Sequence, residues 1–177
     1  SLSTAAVKAW TTEDVASLST KQISVLSSAQ IAALDTEDVD VLSSQQLNAI
    51  SQSAIVGLTL DQLAVLTGSD IESLSTLQIA AITTAQISAL STDQAEALTT
   101  SQVKALGSKQ LAALSAADVS TFSTDDIAAI SNQAISGLDT SAIAALSTDQ
   151  LAALSSSGIA GLTTSQIAAL STDQADA

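Results

Sequence analysis

Carboxylates and hydroxyls are the side chains of this chain best able to do chemistry. Two stretches gather them: Asp35-Thr36-Glu37-Asp38-Val39-Asp40 and Ser123-Thr124-Asp125-Asp126. Oxygen ligands of this kind suit a hard cation such as Ca²⁺. Neither stretch has the Asp-x-Asp-x-Asp-Gly spacing or the Gly-Gly-x-Gly-x-Asp nonapeptide, so calcium is the weaker of two readings. The other is electrostatic, since an acid in the first turn of a helix complements the helix dipole by a few tenths to about 1 kcal/mol. Thr76, Thr84, Thr92 and Thr100 recur at eight-residue spacing. Such a row of hydroxyls would serve an ice-binding surface, O-linked glycans or a protein partner.

The rest of the catalytic repertoire is missing. The chain has no His, Cys, Arg or Tyr. A serine nucleophile therefore lacks its imidazole base, and thiol chemistry is impossible. Nitrogen and sulfur metal ligands are absent too. The carboxylates are expected on solvated faces, not in a pocket that would perturb them. No enzymatic activity is expected, and no catalytic, cofactor-binding or metal residue is assigned. The net charge is −14, with Lys8, Lys21, Lys104 and Lys109 the only cations. Phosphate binding needs basic side chains to displace counterions, so nucleic acid and anionic membranes are poor partners. No apolar run approaches the roughly 18 residues of a membrane span.

The positions of these side chains follow one rule. From Ser3 to Leu170 the sequence is built of eight-residue phrases without insertion or deletion, and a further phrase starts at Ser171. Position 1 is always Ser, Thr, Asp or Gly, the residues that cap helix N-termini. Position 4 is Gln or Asp in 17 of 22 copies. A Gln three residues after a capping hydroxyl can reach back to the cap's own N–H, completing a capping box. Position 5 is Ile, Leu or Val except at Ala95 and Ala175, and position 8 is Leu or Ile except at Trp10 and Phe122. Position 8 precedes the next cap and position 5 follows it by four, which is the spacing of a hydrophobic staple. Leu74 is expected to pair with Ile79, and Ile82 with Ile87.

One continuous helix is excluded. Eight residues at about 100° each advance roughly 800°, so an apolar stripe would drift about 80° per octad and keep no fixed face. A β-helix fits worse, because positions 5, 7 and 8 do not alternate with period two. The octad instead predicts a short capped helix that restarts every eight residues. So short a helix cannot bury enough apolar surface to stand alone, so its stability must come from stacking. The expected fold is all-α: a single-array solenoid or superhelix of short capped helices, one per octad, over residues 1–177. Three to five octads would close a turn.

Some octads depart from the rule. Ala54 with Gly57, Ala134 with Gly137, and Gly158 with Gly161 each lose the position-4 polar group and gain Gly at position 7, which leaves two accounts open: a close approach between neighbouring helices or chains, or neutral drift. Trp10 and Phe122 are expected in the core or capping an end. The phrase is already running at the first residues and breaks off at Ala177, so these residues are expected to be part of a longer array. An exposed Leu2 or Ala175 would then favour end-to-end or lateral self-association.

The phrase Leu98-Thr99-Thr100-Ser101-Gln102-Val103-Lys104-Ala105-Leu106 resembles the opening helix of a TAL-effector repeat. The likeness covers one capped turn, without the second helix, the base-reading loop or the positive charge, and no function is carried over. The whole array resembles the Leu-Ser/Thr-x-x-Gln-Ile-x-Ala-Leu regions of large secreted or surface-exposed, adhesin-like bacterial repeat proteins. That resemblance implies an extracellular or cell-surface setting. The expected role is a structural segment of a bacterial fibre or filament, with a binding surface (adhesin-like or ice-binding) as the alternative.

Overall fold

The computed structural model describes residues 2–176, and its backbone restarts a helix at every octad. Among the described residues there are 22 α-helices of four to six residues and no strand. They fall into two compact units, one ending at Leu90 and the other starting at Ser91. The octad register runs unbroken through both.

Each restart is made by a cap. Position 1 adopts extended backbone, as at Ser75 (φ −70°, ψ 156°), and its hydroxyl accepts the N–H of position 4. In every octad with Gln or Asp at position 4, that side chain accepts the N–H of position 1 in return; Thr83 and Gln86 are one instance, at 2.8 Å. Gly107 has no side-chain oxygen and the Asp35 carboxylate makes no cap hydrogen bond, so there only the return bond is made; the Ser51 hydroxyl makes no cap bond either. The N–H of position 5 then closes a single full helical turn onto the carbonyl of position 1, as Ile79 does onto Ser75 at 3.0 Å.

The helix ends are unusual. Among the described residues none has positive φ and no peptide bond is cis. Helices often end on a left-handed glycine; here position 8 or its neighbours turn the corner in right-handed or extended backbone that any L-residue adopts, as Ile82 does at φ −55°, ψ 135°. The corner therefore needs no glycine, and the octad can keep a bulky, buried aliphatic residue there.

Positions 5 and 8 form the interior. Leu74, Ile79, Ile82 and Ile87 are all buried, as the staple spacing requires. Phe122 joins them, whereas Trp10 is half-buried at the N-terminal end. Within each unit a helix packs on the one three before it, so between three and four octads complete a turn. That lies inside the range expected from segment length. No helix is long and apolar enough to cross a membrane.

Candidate functional site

The chemistry of this chain is concentrated at position 4, and its partners lie one turn away. Gln78 shows the arrangement. Its Oε1 accepts the N–H and hydroxyl of Ser75 at 2.8 and 2.9 Å. Its Nε2 donates to the carbonyls of Leu47 and Ile50, at 2.8 and 2.9 Å, 31 and 28 residues earlier. Gln46, Gln62 and Gln86 repeat this on Val15 and Leu18, Ile31 and Leu34, and Ile55 and Leu58. In the second unit Gln166 reaches Ile135 and Leu138, Gln174 reaches Ile143 and Leu146, and Gln150 reaches Phe122 and, in place of Val119, the Ser120 that follows it.

This seam settles the backbone accounting. The position-5 carbonyl already takes the N–H of position 8, as Leu47 does from Ile50 at 3.2 Å. The position-8 carbonyl has no such partner within its own octad. Buried, it would cost about 1–3 kcal/mol unsatisfied, and where position 4 of the next turn is Gln the arriving amide satisfies it, as at Ile50, Leu58 and Leu138. One glutamine thus caps its own helix and ties two turns. No buried side-chain nitrogen or oxygen among the described residues lacks a hydrogen bond.

The sequence reading found the capping half of this device and missed the other half. A partial signal was present: position 4 is Gln in 12 of 22 copies and never Glu. A capping box accepts Glu as readily as Gln, so that preference fits a demand for N–H donors, which the five octads with Asp do not meet.

Three octads replace the amide by direct contact. A Cβ on Gly57 would lie 2.0 Å from the carbonyl oxygen of Ser28, and one on Gly137 equally close to that of Ser108. On Gly161 it would lie 2.3 Å from the Asn132 carbonyl oxygen. These glycines are needed for space, since none has positive φ. Loss of the glutamine removes a spacer, and loss of the Cβ lets the turns close the gap. Octad 18 shows the first change alone, with Ala142 buried and Ala145 exposed at position 7.

The acids do not all lie on solvated faces. Asp38, Asp118 and Asp126 are buried, each accepting the N–H of its own cap residue. They occupy position 4, where the box pulls the side chain under the next turn. Burial holds the Asp38 carboxyl above the ordinary carboxylate range, and the charges of Asp35, Glu37 and Asp14 push the same way against the Asp35 N–H. Asp126 also accepts the Thr100 hydroxyl at 2.7 Å. At Asp139 the Ser141 hydroxyl and then the Ala142 N–H hold the carboxyl below its usual value.

The two acidic stretches do not converge on a cation. Asp38 turns inward while Asp35, Glu37 and Asp40 stay exposed, as does Asp125 beside buried Asp126. Among the described residues no group of three acidic side chains could hold a metal ion. Thr76, Thr84, Thr92 and Thr100 are exposed. Thr76 and Thr84 sit in successive octads of one unit, roughly a quarter turn apart about its axis, as Thr92 and Thr100 do in the other. A flat plane of hydroxyls is not formed by such neighbours.

Short helices in exact register, tied turn to turn by side-chain amides, define a helical repeat solenoid. Residues 1–28, 31–68, 68–100, 119–156 and 148–177 match the family model of the ALTTAQ repeat, and the chain belongs to that family. In one-letter code that description runs from position 7 of one octad to position 4 of the next, read here as Ala97-Leu98-Thr99-Thr100-Ser101-Gln102. It spans the corner, the cap and the amide of the seam. No curated protein and no solved structure matches the chain.

Proposed function

We propose that this chain is a structural segment of an extracellular or cell-surface bacterial filament, and that it has no catalytic role. The supporting observation is where its polar chemistry goes. The position-4 side chains are spent on helix caps and on the neighbouring turn, and among the described residues no group of three acidic side chains converges. A solenoid of this kind extends by adding octads, without redesign of what came before. The net charge of −14 keeps a chain with an aliphatic interior soluble. The resemblance of the octad to surface-exposed bacterial repeat regions supports the same setting.

The test is immunogold labelling of intact producing cells with antibody raised against this chain. Label along surface filaments supports the proposal. Label confined to the cell interior removes it.

A further inference from the structure

The seam skips two octads. By its register, position 4 of one octad meets the octad four earlier, as Gln46 meets Val15 and Leu18, and Gln62 meets Ile31 and Leu34. An octad is therefore tied by its own glutamine on one side and by that of the octad four later on the other. Among octads with a turn on both sides, from 35–42 to 139–146, two have neither glutamine. Octad 35–42 carries Asp38, and Asp70 stands four octads later; octad 123–130 carries Asp126, and Gly158 stands four octads later. One lies in each compact unit. They contain the acidic stretches 35–40 and 123–126.

The two carboxylates are not served alike. Asp126 Oδ2 accepts the N–H and hydroxyl of Ser123 at 2.9 and 2.6 Å, and its Oδ1 accepts the Thr100 hydroxyl at 2.7 Å. Ionised, it still ties its octad to the turn beneath. Asp38 is 3% exposed and accepts the N–H of its own cap residue, Asp35, at 3.2 Å. By the 31- and 28-residue register it stands over the carbonyls of Val7 and Trp10. The Val7 carbonyl takes the Trp10 N–H at 3.0 Å, and among the described residues nothing donates to the Trp10 carbonyl. Oxygen faces oxygen where the flanking octads place an amide. The surrounding charge is mainly negative. The helix Thr36–Asp40 packs on Thr12–Ser17 and Leu60–Ala64, which bring Glu13, Asp14 and Asp61. Asp35, Glu37 and Asp40 share the octad of Asp38, and Asp70 and Glu72 lie in the octad above. The octad beneath brings Lys8, which is exposed. Burial holds the Asp38 carboxyl above its ordinary range against the Asp35 N–H, and Asp35, Glu37 and Asp14 add to the effect.

We propose that octad 35–42 is a proton-operated joint of the first unit, loose near neutral pH and closed in acid. An ionised Asp38 can only accept hydrogen bonds, so its octad has no polar tie to the turn beneath and opens more readily than its neighbours. A proton taken from solvent converts one carboxylate oxygen into an O–H, which donates to the Trp10 carbonyl and supplies the missing tie. The octad of Asp126, tied through Thr100 while ionised, has no need of the proton.

Amide hydrogen exchange of the full chain, read by mass spectrometry and corrected for the intrinsic rate at each pH, tests it. At neutral pH, peptides spanning 35–42 are less protected than those spanning 43–50, which Gln46 ties below and Gln78 above. Acidification into the carboxylate range raises protection of 35–42 by up to about tenfold, the worth of one hydrogen bond, and changes that of 43–50 far less. Asp38→Asn carries a donor at every pH, so protection of 35–42 is high at neutral pH and stays flat in acid. Asp70→Gln is the second variant. It ties the octad from above through the carbonyls of Val39 and Leu42, and it raises neutral-pH protection with Asp38 unaltered. Circular dichroism checks that both variants keep their helix content. Equal protection of 35–42 and 43–50 at neutral pH, or a rise in acid that survives Asp38→Asn at full size, overturns the joint.

Discussion

Gln78 and Ile50 are 28 residues apart, and the Gln78 Nε2 donates to the Ile50 carbonyl at 2.9 Å while the same side chain caps the helix that begins after Ser75. Two levels of structure therefore depend on one amide. Gln78→Glu keeps the acceptor for Ser75 and deletes both donors to the turn below, in a side chain only 2% exposed. It should cost about 3 kcal/mol, the scale of leaving a buried charge unpaired. Gln22→Glu makes the same change at an exposed side chain whose amide donates to no described residue, and should be near neutral. Urea unfolding of both variants measures the difference.

The glycine contacts predict a steric penalty without a backbone one. Gly57→Ala places a Cβ against the Ser28 carbonyl and should destabilise by about 1–3 kcal/mol, the usual cost of overpacking. The double variant Ala54→Gln with Gly57→Ala restores both spacers and should be more stable than the two single effects summed. Gly107→Ser is the control. Its added Cβ meets only the Gln110 Oε1 at 3.8 Å, and the new hydroxyl should gain a few tenths of a kcal/mol as a cap.

Two aspartates should respond to pH with opposite sign. The folded-state pKa of Asp38 is raised, chiefly by burial. Its ionisation therefore costs stability above that pKa, and the cost is relieved as pH falls towards the unfolded value. Asp38→Asn should raise the unfolding midpoint at neutral pH and make no difference well below the ordinary carboxylate range.

Asp139 is the reverse case, its pKa lowered first by Ser141 and then by Ala142. Its stabilisation is present above the unfolded pKa and disappears as pH falls through the folded one. Asp139→Ala should cost about 0.5–2 kcal/mol at neutral pH, as loss of a cap does. The cost should shrink in acid, which thermal melts at several pH values would reveal.

Much of this architecture was legible because the octad is local. Ser75, Gln78 and Ile79 announce a cap, a box and a staple within five residues, and burial of Ile79 and Ile87 followed from spacing alone. The winding was bounded but not fixed, because it is set by a bond from Gln78 to a residue 28 places away that no local spacing encodes. Asp38 was misplaced for the same reason. A carboxylate at a helix start looks solvated until a second turn is laid over it. The role of Gly57 was half readable: its pairing with Ala54 allowed a close approach as one of two accounts, but nothing identified Ser28 as the neighbour.

The constant reach of the seam has a mechanical corollary. Because each tie spans only about one winding, tension on the chain would not have to break every tie at once. It could unzip the outermost coil, then the next, each release yielding slack on the order of 100 Å for some thirty residues drawn straight. A single molecule pulled from both ends should lengthen in steps of that size. Such a tether would absorb a sudden load by spending a few coils and rewind when the load is gone.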